Sequence, residues 1–140
     1  LQEGEVAATL LACAGLKRLG LEHVITERLS TDEVLPAVGQ GVICIETRED
    51  HADIRTMLAA IDHKPTSVCL EAERAFLARL DGSCRTPIAG LGELVDGRLR
   101  FRGMILLPDG SRTFETMRDG VPTGALPGRL IRGHRGVPNG

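Results

Sequence analysis

The 140-residue chain has no tryptophan and no tyrosine, and only three phenylalanines. With aromatics at 2% of residues, it lacks the stacking platform that proteins use to grip unpaired bases. It has no apolar run approaching the ~18 residues that a membrane-spanning helix needs. The first residues, Leu1-Gln2-Glu3-Gly4-Glu5, carry acid where a secretory leader carries base, and they lack an initiator methionine. They read as a processed start or as a cut from something longer. No C-x-x-C pair joins the four cysteines, so no zinc site is expected. Thiols without a secretory signal fit a reducing, cytoplasmic setting. A net charge of -2 gives no pull toward nucleic acid or an anionic membrane surface.

What is present is one well-placed thiol. Cys84 sits in Asp81-Gly82-Ser83-Cys84-Arg85-Thr86-Pro87. Small residues before it leave the sulfur accessible, and the guanidinium after it favours the thiolate. Cys13, Cys44 and Cys69 lie in apolar runs and read as small core residues. Cys84 by itself is open to three readings: a structural loop cysteine, a redox partner, or a nucleophile and attachment point. The redox reading is the weakest, since no resolving cysteine is near in sequence.

The pattern along the chain is that of an α+β fold. Val6 to Leu16 is uncharged, with Glu3 and Glu5 before it and Lys17 and Arg18 after it, the charge order a helix dipole prefers. Gly20 is its expected stop. A helix apolar all round needs cover on more than one face, more than the following segment offers. Leu35-Pro36-Ala37-Val38-Gly39-Gln40-Gly41 is a turn-rich link into Val42-Ile43-Cys44-Ile45, which reads as a short buried strand. Asp50 is a candidate cap for a helix with an Ile54, Met57, Leu58 and Ile61 stripe. Pro65 opens the next helix, with Val68, Ala72, Ala75 and Phe76 inward and Gly82 just past its end. Three strands follow. Thr86–Val95 turns at Asp96-Gly97 into Arg98–Leu107, which turns at Pro108-Asp109-Gly110 into Arg112–Arg118. Period two places Leu99, Phe101 and Ile105 on one face and Arg98, Arg100 and Arg102 on the other. The expectation is a three-stranded antiparallel sheet covered on one face by the two helices. Residues 121–140 are rich in proline and glycine and read as an irregular tail.

Other candidate sites carry bland readings. Gly39-Gln40-Gly41 lacks the third glycine of a dinucleotide loop and precedes a strand rather than following one. It reads as a tight turn bringing backbone close to a ligand or another segment. The three arginines of the sheet can bind carboxylates, but a solvated sheet face explains them more simply. His23, His51, His63 and His134 show no partner pattern.

Three strings together resemble one family. Ala14-Gly15-Leu16-Lys17-Arg18-Leu19-Gly20, the Leu35–Gly41 link, and Glu71–Phe76 followed by Leu80–Ile88 are similar, in order and spacing, to hydroxymethylbilane synthase, also called porphobilinogen deaminase. The resemblance covers about residues 5–120. It implies a transferase of tetrapyrrole biosynthesis that joins four porphobilinogen units into hydroxymethylbilane. It also implies a dipyrromethane cofactor held by a thioether to Cys84, with Arg18 contacting its acidic groups and Gln40 lining the same cleft. Lys17 and Gly41 match the strings without an implied role. The family's catalytic aspartate would lie upstream of Leu1, so no catalytic residue is expected here, and this chain alone is expected to be inactive.

On the same resemblance, residues 1–45 correspond to the end of the second domain and the return into the first. Residues 46–120 correspond to the cofactor-attachment domain, preceded by a helix and strand, and residues 121–140 depart from the family. The implied partner is porphobilinogen, with no nucleic acid, membrane or metal, and the full-length enzyme is expected to be monomeric and cytoplasmic. The rival readings are a non-enzymatic small α+β module that has lost the catalytic domains, and a stand-alone thiol enzyme using Cys84 as nucleophile.

Overall fold

The computed structural model describes residues 4–80 and 87–122. The chain divides into two compact units, Leu1–Val34 and Leu35–Gly140.

In the first unit, helix α1 spans only Cys13–Arg18, and the expected helix from Val6 is not formed. Ala12 stands at its start without a side-chain cap, and residues 4–15 are exposed. A short helix with no packed face does not propagate. Its end behaves as the sequence indicates. Gly20 has φ of 69°, Gly20 N–H reaches Lys17 C=O at 3.1 Å, and Leu21 N–H reaches Leu16 C=O at 2.8 Å. This is a Schellman stop. A 3-10 turn follows at Glu22–Val24. Ser30 and Glu33 then form a reciprocal capping box: Ser30 N–H donates to Glu33 Oε2 at 2.8 Å, and Glu33 N–H donates to Ser30 Oγ at 3.3 Å.

The second unit is built on a sheet of order β1-β2-β3: β1 Ile88–Val95, β2 Arg98–Leu106 and β3 Thr113–Gly120, all antiparallel. The Asp96-Gly97 turn has φ of 51° and 73°, the paired positive values of a type I′ hairpin. The second turn is closed by Leu107 N–H to Arg112 C=O at 2.9 Å. There Asp109 accepts from the backbone and hydroxyl of Ser111, bonds that lower its carboxyl pKa, the hydroxyl bond first.

Helix α2, Ala52–Ala59, and helix α3, Lys64–Arg79, do not share the work expected of them. Only α3 packs on the sheet, against β1 and β2. Ile54, Met57 and Ile61 remain exposed. Asp50 does not cap α2: the N-cap is His51, without a side-chain bond, and the Asp50 carboxylate pairs with Arg48 instead. Pro65 stands in the first turn of α3 as expected.

The core is Ala72 and Phe76 of α3 with Leu99 and Phe101 of β2. Phe76 and Phe101 meet at 5.1 Å between centroids, tilted by 59°, within the range aromatic pairs favour. Glycine makes the close approach possible. A Cβ on Gly103 would fall 2.8 Å from Phe76 Cζ, and one on Gly92 would fall 3.0 Å from Cys69 C=O.

Two further expectations are corrected. Val42–Ile45 forms no strand; an extended segment without a neighbouring strand has no ladder to join, and Ile43 is 89% exposed. Cys13 and Cys44 are exposed rather than core, because the apolar runs carrying them are not covered. Cys69 is half-buried. The proposed stop at Gly82, the strand start at Thr86 and the tail beyond Pro122 lie outside the described residues.

Candidate cofactor site

The Leu35–Gly41 link folds into turns. Gln40 N–H bonds Ala37 C=O at 3.1 Å and Val42 N–H bonds Gly39 C=O at 3.2 Å. These close two successive turns. Gly39 with φ 73° and Gly41 with φ 81° hold the third position of each, where a type II turn needs positive φ. Gln40 lies between them and is exposed. The expected tight turn is present, and it brings backbone close to another segment, β1.

The contact is made along the outer edge of β1. Ala37 forms a bridge with Ala89, and Gly90 N–H donates to Pro36 C=O at 2.9 Å. Two residues further, Gly92 N–H donates to Glu73 Oε1 at 2.8 Å. Leu94 N–H is directed to the Cys69 sulfur. The amides of Gly90, Gly92 and Leu94 thus each find a different acceptor, which answers the unpaired-edge problem along this stretch without another strand. Glu73 also takes Gly39 N–H on its other oxygen, Oε2, at 2.7 Å. One carboxylate therefore joins α3, β1 and the turn.

Glu73 was not singled out by sequence. It sits within Glu71-Ala72-Glu73-Arg74, where one glutamate faces water and the next is buried, with 6% of its surface exposed. The only signal was its place on the inner stripe beside Ala72 and Phe76. Burial raises the Cys69 thiol pKa above its ordinary value, the Glu73 charge adds to this, and the Leu94 amide partly offsets it.

Arg18 is the last residue of α1 and is exposed in the first unit. Gln40 belongs to the second unit. Cys84 lies outside the described residues. A groove of about 720 Å³ runs beside the turn, lined by Val42, Ile43, Ile45, Leu58 and Leu70, with Cys44, Asp62 and His63 at its wall. The solvated-face reading holds for Arg98 and Arg100, which are exposed, Arg100 pairing with Asp119 at 3.3 Å; Arg102 departs from it, half-buried and paired with Glu93 at 3.5 Å. Among the described residues no helix is long and apolar enough to cross a membrane, and no group of three or more His, Cys, Asp or Glu could hold a metal ion.

Comparison with known proteins matches two family models in succession. Residues 1–56 match the porphobilinogen deaminase dipyrromethane cofactor-binding domain, and residues 67–126 match the porphobilinogen deaminase C-terminal domain. The chain belongs to the porphobilinogen deaminase family. It is 55% identical over 118 residues to the porphobilinogen deaminase of Nitrobacter hamburgensis, covering 84% of this chain and 37% of that protein. It is 54% identical over 138 residues to that of Paracoccus denitrificans, covering 95% of this chain and 44% of that protein. The chain therefore spans less than half the length of these relatives. The join between the two matches, residues 57–66, falls at the end of α2 and the start of α3.

Proposed function

We propose that this chain is the cofactor-bearing portion of a hydroxymethylbilane synthase, with Cys84 as the thiol that forms a thioether to dipyrromethane. The observation that carries this reading is the order of the two family matches, a cofactor-binding domain followed by a C-terminal domain, with the Leu35–Gly41 turn folded and Gln40 at its surface.

The residues suit the group. Its acetate and propionate arms need cations and hydrogen-bond donors. Arg18 supplies an exposed guanidinium, Gln40 supplies an exposed amide, and a Cβ at Gly41 would meet nothing within 4 Å, so the turn leaves room beside Gln40. When bound, the dipyrromethane supplies the terminal pyrrole carbon from which the product chain grows. Cys84 would hold the group through a thioether to its sulfur. Arg18 and Gln40 would each offer a partner to an acidic arm of the group. Proton transfer at the pyrrole nitrogens needs a carboxylate within hydrogen-bond reach, and the resemblance assigns that to an aspartate preceding the matched region. Residues 1–45 are read as the end of the second domain and the return into the first, and residues 46–120 as the cofactor-attachment domain. The full-length protein is read as a monomeric cytoplasmic transferase acting on porphobilinogen.

The test is a chimera in which this chain replaces the matching part of the Paracoccus denitrificans enzyme. Its intact mass should exceed the sequence mass by two linked pyrrole units, and Cys84→Ser should abolish the excess. An active chimera of unmodified mass would defeat the assignment.

A further inference from the structure

We propose that Glu73 is a positioning residue, acting through Gln40. Its carboxylate clamps the turn that carries Gln40 to the edge of β1, and thereby sets where the Gln40 amide meets the cofactor. The inference rests on the reading above that Gln40 lines the cofactor cleft.

Three observations support it. Glu73 is the buried charged side chain of the described core, and burying a carboxylate is costly unless its oxygens are satisfied. Both are satisfied, by the amides of Gly39 and Gly92. These lie 34 residues before and 19 residues after Glu73, so the bonds join separate segments rather than cap a local turn. Finally, the upstream half of the link is tied independently through Pro36 and Ala37. The Glu73 bond acts on the other half, at the residue directly before Gln40.

A carboxylate is the side chain this arrangement requires. Both partners are N–H donors, and only a group with two acceptors serves both. Glutamine would turn an NH₂ toward one of the two amides. Aspartate keeps the charge but is one methylene shorter, and cannot span the same two donors from the α3 backbone. Each change breaks one half of the clamp while leaving the Phe76–Phe101 core in place.

The experiment is a double-mutant cycle in the chimeric holoenzyme, with Glu73→Gln, Glu73→Asp, Gln40→Ala and the combined variants. Circular dichroism and intact mass first establish folding and the Cys84 adduct in each. Glu73→Gln should lower kcat/KM by about tenfold, the size of coupling found between residues in one network. In the Gln40→Ala background the same change should have no further effect, because the clamp then has nothing left to place. Amide exchange at Gly39 or Gly92 should quicken in Glu73→Gln while the β2 amides stay protected. Equal slowing by Glu73→Gln in both backgrounds would overturn the proposal, and so would unchanged turnover. Loss of folding in both the glutamine and aspartate variants would show a purely structural tie and overturn it too. A missing adduct in the parent chimera, or unchanged turnover in Gln40→Ala, would instead strike the cofactor reading, and the inference with it.

Discussion

Cys69 and Cys44 sit in similar apolar strings yet meet different fates. The Cys69 thiol lies between α3 and β1, where burial and the Glu73 charge raise its pKa; Cys44 is exposed. The thiolate is the reactive form, so Cys69 should be alkylated last of the four when the folded chain is treated with limiting iodoacetamide near pH 8 and its peptides are mapped. Early labelling of Cys69 would mean that the helix does not cover it. A raised thiol pKa favours the fold while the unfolded thiol is still protonated, and that advantage fades as pH climbs through the folded value. Gly103 offers a second test at this scale. Adding a methyl there presses on Phe76, and Gly103→Ala should cost about 1–3 kcal/mol in denaturant unfolding. A neutral result would show that the two rings can part without loss.

The hairpin joining β1 and β2 depends on its turn. Gly97 has φ of 73°, a region that costs a residue with a Cβ about 1–2 kcal/mol. Gly97→Ala should lower stability by that amount without changing the spectrum of the folded sheet. Helix α3 carries a pH-dependent expectation. Asp62, just before its start, accepts from Ser67 Oγ at 2.6 Å and pairs with Lys64. These contacts lower its carboxyl pKa, the Lys64 bond first. A lowered folded pKa means stability that is present above the ordinary carboxylate range and lost as pH falls through it. Asp62→Asn should therefore lower the melting temperature slightly at pH 7, and by progressively less as pH falls below the ordinary carboxylate range toward the lowered folded pKa; an equal loss at every pH would point to packing instead of charge.

For the whole chain, the notable quantity is uncovered apolar surface. Ile43 and Ile45 line the groove beside the turn, and with Met57 and Ile61 they are more than half exposed. Contiguous apolar surface of this kind marks an interaction face or an aggregation hazard. The chain on its own should bind a hydrophobic dye and elute as more than a monomer at micromolar concentration, and Ile43→Ser with Ile45→Ser should reduce both. Clean monomeric behaviour of the parent would show that these side chains find cover. The relatives more than double this chain's length, which agrees with the proposal that the activity belongs to a longer protein.

What the sequence determined by itself was local. Period-two alternation named the inner face of β2, because side chains of a paired strand must alternate, and turn signals on either side marked off the other two strands. Asp96-Gly97 and Gly20 named a turn and a helix stop, because few residues adopt positive φ cheaply. Gly39 and Gly41 marked a tight turn for the same reason. Three strings were enough to reach the family. Tertiary structure decided whatever depended on a partner. The Val6–Leu16 run had helical charge order but no surface to pack on, so only its last turn and a half formed. Val42–Ile45 had strand composition but no neighbouring strand. Cys13 and Cys44 looked like core because apolar neighbours surround them in sequence, yet burial is a property of the space around a residue. Glu73 is the converse: by composition it belongs on the surface, and only the meeting of a helix, a sheet edge and a glycine turn gives its two oxygens a reason to be inside.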